Sequence, residues 1–184
     1  LELIERFGLE TYPTYLDGRS KGRIGDRAFE AQGEAFENEI GWLSKLRLGL
    51  AVWKISRMLK QIDAAQPWRG EAASRFDRET VASWAGRAVG DEKVRRILDF
   101  IVRAVFCCEP DELSLLFFLF YVKAAGGLEV LIQAGPGGAQ NHLVVGGLNQ
   151  LAGRLVESCD LDVRLSEPVE AIEQQDGTAK VRTS

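Results

Sequence analysis

The chain has 184 residues, of which 46% are hydrophobic and 27% are charged, and its formal net charge at pH 7 is −4. A chain of this length can bury a hydrophobic core and is close to the usual size of one domain. A net negative charge does not attract phosphate groups, so nucleic acids and anionic membrane surfaces are not expected partners.

Metal sites and membrane spans are also disfavoured. Three cysteines and a single histidine, His142, provide no C-x-x-C spacing, which argues against a zinc site and a disulfide framework. The longest apolar run, residues 113–122, is interrupted by Ser114 and is much shorter than the roughly 20 residues that a membrane span needs. We therefore expect a reducing, cytoplasmic setting.

The first third of the chain predicts a hairpin followed by a long helix. Residues 10–24 surround the pair Asp17-Gly18, which is typical of a hairpin turn, and Pro13 favours an edge strand. From residue 28 to residue 62, apolar side chains recur at helical spacing in two stripes. The first stripe is Phe36, Ile40, Leu43, Leu46, Leu50 and Trp53, and the second is Leu48, Val52, Ile55, Leu59 and Ile62. We expect the second half of this helix to be the more buried.

Three helices are predicted in the middle of the chain. A short one is expected over residues 76–89, with Asp77 as its N-cap. Residues 94–105 place apolar side chains on one face at i, i+3 and i+4 spacing, which is the clearest helical pattern of the sequence. Residues 109–112 then open a helix that is apolar on nearly every side and ends at Lys123. We expect that helix at the centre of the core.

The last third predicts short strands around one amphipathic helix, which follows Gly146-Gly147 and runs to about residue 156. The strands are expected at residues 142–145, 163–165, 169–172 and 179–183. The sequence therefore predicts an α+β fold, mostly helical, with a small mixed or antiparallel sheet.

A search for catalytic residues among these elements is mostly negative. His142 has no nucleophile motif beside it, so Ser-His-Asp and Cys-His sites are disfavoured. Gly146-Gly147 suits a tight turn or an anion at a helix N-terminus, but neither G-x-G-x-x-G nor a P-loop motif occurs. The aromatic residues within 117–121 are interpreted as core rather than as a ligand cage. At least one of the cysteines at 107–108 is interpreted as a buried apolar group, with a redox role as the alternative.

The order of several short segments carries the strongest signal in the sequence. They are LETY at 9–12, PW at 67–68, FD at 76–77, Trp84, EPDELS at 109–114, LFFLFYVK at 116–123, Gly126-Gly127, GGAQ at 137–140, VVGGLNQ at 144–150, VRL at 163–165 and EPV at 167–169. In this order and spacing they resemble the flavin-containing monoamine oxidase family, over nearly the whole chain.

The resemblance implies an FAD enzyme of two intertwined domains. A Rossmann-like part would hold the cofactor, and a helical part with a mixed sheet would shape the amine pocket. Residues 1–160 would belong to the substrate-binding domain, and residues 161–184 would be strands returning to the FAD-binding domain. The family's dinucleotide fingerprint would precede the chain, and its aromatic pair, flavin-proximal lysine and, in some members, flavin-linking cysteine would follow it. The first residue is Leu1 and the only methionine is Met58, so we expect an internal fragment without catalytic residues of its own.

The resemblance also implies roles for single residues. The substrate-binding positions would be Ile101, Ala104, Val105, Leu131, Ile132 and Gln140. The first three would line the pocket from one helix, the next two would form a gating strand, and Gln140 would approach the substrate near the flavin. The backbone of Val169 would meet the adenine end of FAD. The small side chain of Ala104 favours a larger or cyclic amine.

The implied reaction oxidises an amine to an imine, which is then hydrolysed to a carbonyl compound. A hydride equivalent would pass to FAD, and O2 would reoxidise the flavin and give H2O2. The apolar character of the predicted pocket suits this chemistry. The fragment alone is expected to be inactive and to expose apolar surface, and the full-length protein is a candidate homo-oligomer. A relative acting on amino acids or polyamines stays open, and so does a non-catalytic helical interaction domain that has kept the scaffold but lost the flavin.

Overall fold

The structure is a computed structural model that describes residues 2–24, 27–32 and 41–184. The chain divides into two compact units, a larger one of Pro13–Leu143 and a smaller one of Leu1–Tyr12 with Val144–Ser184. The fold is α+β and mostly helical, with small antiparallel sheets, which confirms the predicted class.

The elements follow one another with short connections. The helices are α1 (Glu2–Arg6), α2 (Trp42–Leu59), α3 (Ala73–Asp77), α4 (Val81–Ala88), α5 (Glu92–Phe106), α6 (Leu115–Ala124), α7 (Leu128–Ile132) and α8 (Gln150–Cys159), with a 3-10 turn at Pro67–Arg69. The strands are β1 (Thr11–Pro13), β2 (Arg19–Ile24), β3 (Arg27–Gln32), β4 (His142–Val144), β5 (Val169–Gln175) and β6 (Thr178–Thr183). The paired strands are β1 with β4, β2 with β3 and β5 with β6.

The core of the larger unit is one apolar cluster built around α6. Leu115, Phe118, Leu119 and Val122 of this helix are each at most 1% exposed. Helices α2, α3, α4 and α7 all pack against α6, and α5 packs against α2 and α4. A helix that is apolar on most sides is most stable where several neighbours cover it, so the prediction of a central helix is confirmed.

The predicted hairpin around Asp17-Gly18 is wrong. These two residues form a bend, but β1 pairs with β4, which is distant in sequence, and β2 pairs with β3. The β2–β3 ladder is antiparallel and runs from Arg19 opposite Gln32 to Ile24 opposite Arg27. A local turn signal does not select a strand's partner, because pairing also depends on edges supplied from elsewhere in the chain.

The long helix predicted from residue 28 is wrong in its first part. Residues Arg27–Gln32 form a strand and the helix begins at Trp42, while Phe36 and Ile40 lie outside the described residues. In α2 the second stripe faces the core, with Ile55 1% exposed, and the first stripe faces outwards. Apolar spacing reports helix faces but does not show which face finds a partner.

Two further local predictions are wrong. Asp77 ends α3 instead of capping the next helix, and its carboxylate accepts a hydrogen bond from Ser114 Oγ at 2.8 Å. Helix α4 is capped instead by Thr80, which forms a reciprocal capping box with Ser83. The strand expected at residues 163–165 is absent from the described structure, whereas the strands flanking Asp176-Gly177 are confirmed as β5 and β6.

Several general features of the described part bear on function. No helix there is long and apolar enough to cross a membrane. No group of three or more histidine, cysteine and acidic side chains is placed to hold a metal ion in that part either. Cys107, Cys108 and Cys159 are free thiols, and Cys108 packs partly buried against the core.

Candidate functional site

The predicted pocket residues of α5 lie where this helix passes from the core to the surface. Ile101 is 9% exposed within the core, Val105 is half-buried against it, and Ala104 is exposed. Their i, i+3 and i+4 spacing places the three on neighbouring parts of one helix face. The helix ends at Phe106, and its C-cap Cys107 has a left-handed backbone with a φ of 54°.

The carboxylate of Asp91 caps the start of α5 and also binds two side chains of α2. Asp91 Oδ1 accepts hydrogen bonds from the amides of Lys93 and Val94, at 2.9 and 3.3 Å, as the N-cap of α5. Its Oδ2 accepts from Arg47 Nη1 at 2.8 Å and from Ser44 Oγ at 3.2 Å, both on α2. The hydrogen bond from Arg47 is the main reason why the pKa of Asp91 is lowered, although burial opposes it. The sequence did not reveal this link, because its partners are more than 40 positions apart.

The segment at Leu131 and Ile132 is the end of helix α7, so the predicted gating strand is wrong. A five-residue apolar run suits a buried strand and a short helix equally well, and periodicity cannot distinguish them. Leu131 is 6% exposed in the core, whereas Ile132 is 42% exposed. The two residues therefore face different surroundings within the larger unit.

The loop after α7 folds back on that helix and brings Gln140 to Leu131. The amide of Ala139 donates to the carbonyl of Val130 at 2.7 Å, and Gln140 Nε2 donates to the carbonyl of Leu131 at 3.3 Å. Gly138 makes the fold possible, since a Cβ there would lie 1.9 Å from the carbonyl oxygen of Gln133. The loop and α7 thus bring together three of the predicted substrate-binding residues, Leu131, Ile132 and Gln140.

The loop is also held by a residue that sequence reasoning missed. Thr14 Oγ1 donates to the carbonyl of Gln140 at 2.5 Å, and the Thr14 amide donates to the carbonyl of Asn141 at 2.8 Å. Thr14 is 126 positions away from Gln140 in the sequence. No local pattern in the sequence indicates such a contact.

The aromatic residues of α6 are only partly core. Phe118 is 1% exposed, but Phe117 is 49% and Tyr121 is 40% exposed. Phe106 at the end of α5 meets both of the exposed rings edge to face, with centroids 6.2 Å from Phe117 and 4.9 Å from Tyr121. The interpretation of all these aromatics as core is therefore wrong for the outer side of α6.

Two surface clefts of the larger unit lie away from the predicted residues. One is lined by Glu71, Ser74, Arg75, Arg78, Glu79, Ser83 and Arg87. The other, of about 200 Å³, is lined by Arg47, Leu50, Ala51, Lys54, Ala88, Val89 and Gly90.

Val169 lies in the smaller unit, at the first position of β5, and is 57% exposed. Among the described residues β5 pairs with β6 alone. Its other edge therefore offers backbone N–H and C=O groups, which fits the predicted contact with an adenine ring. An exposed strand edge at Val169 is compatible with FAD at this position, and neither G-x-G-x-x-G nor a P-loop motif occurs in the sequence.

Comparisons with known proteins agree with this architecture. The family described as "Flavin containing amine oxidoreductase" matches residues 1–184. The flavin-containing amine oxidase A of Canis lupus familiaris is 30% identical over 187 aligned residues, which cover 100% of this chain and 34% of the relative. A putative flavin-containing monoamine oxidase, AofH, of Mycobacterium tuberculosis is 28% identical over 174 residues, covering 95% of this chain and 38% of the relative. The chain thus spans well under half the length of these relatives.

Solved structures show the same fold. Cyclohexylamine oxidase from Brevibacterium oxydans IH-35A superposes with a TM-score of 0.81 at 24% identity, over 100% of this chain and 40% of that one. A wild-type putrescine oxidase bound to putrescine gives a TM-score of 0.81 at 21% identity, over 99% and 40% of the two chains. With the family match over every residue, the resemblance seen in the sequence is confirmed, and the chain belongs to the flavin-containing amine oxidoreductase family.

Proposed function

We propose that the full-length protein is an FAD-dependent amine oxidase and that the present chain supplies much of its substrate-binding part. The observation that carries this proposal is the family match over residues 1–184. We assign residues 1–160 to the substrate-binding domain and residues 161–184 to strands that return to the FAD-binding domain. Bound FAD would accept a hydride equivalent from the amine, and O2 would regenerate the oxidised flavin and give H2O2.

The residues of this chain would bind and desolvate the amine. Ile101, Val105 and Leu131 contribute apolar side chains, and the loss of water around an ammonium group favours its neutral form. Ile132 would remain at the gate between entrance and substrate cavity, now as part of a helix. These contacts would select an uncharged amine close to the flavin.

Gln140 would orient the amine nitrogen. Its Nε2 donates to the carbonyl of Leu131, which leaves Oε1 to accept a hydrogen bond from an amine N–H. Ala104 is small and exposed, which supports a larger or cyclic amine as the substrate. The backbone of Val169 would meet the adenine of FAD.

The setting and assembly of the protein are also proposals. Three free thiols support a reducing compartment such as the cytoplasm. An exposed apolar face on α2, formed by Leu43, Leu46, Leu50 and Trp53, supports burial against further chain or another subunit of a homo-oligomer. That face is also the feature that a non-catalytic interaction domain would use.

The deciding experiment is a visible absorption spectrum of the full-length protein, followed by anaerobic titration with primary, cyclic and poly-amines. We expect a flavin spectrum that is bleached by at least one amine. A folded, colourless protein that takes up no added FAD would refute the oxidase and leave the interaction domain.

A further inference from the structure

Gln140 is held both by nearby residues of the segment around α7 and by Thr14, which is 126 positions away in the sequence. Its amide reaches the carbonyl of Gln133 at 3.3 Å and its Nε2 reaches Leu131 at 3.3 Å, both within the segment around α7. The bond from Thr14 Oγ1 to the Gln140 carbonyl, at 2.5 Å, is much shorter than either. Of these three hydrogen bonds, the one from Thr14 is the shortest.

The contact fixes the orientation of a peptide plane. Because peptide groups are planar, holding the carbonyl of Gln140 restricts the backbone torsion beside its Cα atom. The second bond, from the Thr14 amide to the carbonyl of Asn141 at 2.8 Å, restricts the next peptide as well. Together the two bonds limit the directions in which the Gln140 side chain can point. Both residues belong to the larger unit.

We propose that Thr14 is a positioning residue for amine oxidation, acting through Gln140. This inference rests on the proposed function, because it assigns Thr14 to the same site. The Thr14 hydroxyl holds Gln140 so that its Oε1 meets the amine nitrogen in one orientation. Because the loop is already ordered, little conformational entropy is lost there when an amine binds. More of the binding free energy then remains for orienting the reacting bond.

The test uses the full-length protein with bound FAD. Thr14→Val removes the hydroxyl while keeping the side-chain shape, and Thr14→Ser keeps the hydroxyl. Thr11→Val, in the strand β1 that directly precedes Thr14, is the control, since Thr11 makes no side-chain hydrogen bond within the described residues. We expect Thr14→Val to lower kcat/KM for amines about tenfold, mainly through kcat, with the flavin spectrum unchanged. Thr14→Ser and Thr11→Val should stay close to the wild type.

A double-mutant cycle separates positioning from general damage. In a Gln140→Ala background, Thr14→Val should have no further effect on kcat/KM, because the side chain that it orients is gone. A second measurement is independent of the flavin reaction. Amide hydrogen exchange at residues 139–141 should be about tenfold faster in Thr14→Val, while exchange in α6 should be unchanged.

The outcomes distinguish the positioning role of Thr14 from the proposed oxidase function. If an amine reduces the wild-type flavin but Thr14→Val matches the wild type in kcat/KM, the positioning role is overturned and the oxidase stands. The same holds if Thr14→Val is equally harmful with and without Gln140. If no amine reduces the wild-type flavin, the proposed function and the role of Thr14 in it both fail.

Discussion

The two units of the chain differ in how they cover their apolar side chains. In the larger unit, α6 keeps four apolar side chains at 1% exposure or less. In the described part of the smaller unit no residue is buried, and Leu165, Ile172 and Val181 are 84%, 63% and 52% exposed. The larger unit is stabilised by its own core, whereas a two-stranded ladder such as β5–β6 is marginal without a covering surface.

The largest expected effect comes from truncating the centre of the larger core. Phe118→Ala should lower the free energy of unfolding by about 3–5 kcal/mol, because it leaves a cavity among several helices. Ile172→Ala in the smaller unit should cost less than about 1 kcal/mol, since that side chain is already in water. Denaturant unfolding of both variants, followed by circular dichroism, checks the difference. Equal losses would show that the smaller unit is as well covered as the larger one.

A second effect concerns the loop that carries Gln140. Gly138→Ala should destabilise the larger unit by about 1–3 kcal/mol, because the new Cβ would overlap the carbonyl of Gln133 and force the backbone to move. Gly153→Ala in α8 is the control, since a Cβ there meets nothing within 4 Å. Alanine also favours helix over glycine, so this control should be neutral or stabilising by up to about 1 kcal/mol. Thermal unfolding of the two variants compares the effects, and similar melting temperatures would contradict the tight loop.

The link from α2 to α5 predicts a pH-dependent effect. Asp91→Ala should cost about 1–2 kcal/mol at pH 7 through loss of the helix cap. The pKa of Asp91 is lower in the folded state than in the unfolded state, where it is about 4. The ionised carboxylate therefore stabilises the folded protein fully above the unfolded pKa. This stabilisation is lost as the pH falls through the lower folded pKa. The difference in unfolding free energy between wild type and Asp91→Asn should therefore shrink below about pH 4.

Glu92→Gln serves as the control for this link, because the Glu92–Arg96 pair is exposed and should contribute less than about 0.5 kcal/mol. Urea unfolding from pH 3 to pH 7 measures both variants. A gap between wild type and Asp91→Asn that grows towards low pH would contradict the assigned role of the carboxylate.

The smallest expected change in stability concerns the outer face of α2. Replacing Leu46 and Leu50 together by Gln should alter the unfolding free energy by less than about 0.5 kcal/mol, because both are more than half exposed. It should nevertheless reduce self-association and hydrophobic-dye binding of the isolated chain. Leu165→Gln, which changes one scattered side chain, should affect both properties less. Gel filtration tests this, and a parent chain that is monomeric and binds no dye would refute it.

Sequence patterns predicted those parts of the site that depend on local spacing. The i, i+3 and i+4 repeat located α5 with its buried Ile101, and the order of short segments identified the family. The resemblance wrongly implied a strand at Leu131 and Ile132, where the structure has the end of helix α7. The assignments of Gln140 and Val169 to substrate and cofactor remain predictions.

The sequence by itself determined that the chain is mostly helical and that α6 is central, because these follow from composition and periodicity. The order of its short segments gave a resemblance to the flavin-containing monoamine oxidases, and the family match over residues 1–184 confirmed it. Tertiary structure alone decided that β1 pairs with β4, that the outer face of α2 is exposed, and that Thr14 and Asp91 bind distant partners. The physical reason is the same in each case. Local spacing fixes which face a side chain occupies, whereas the identity of its partner depends on the competition among all surfaces of the folded chain.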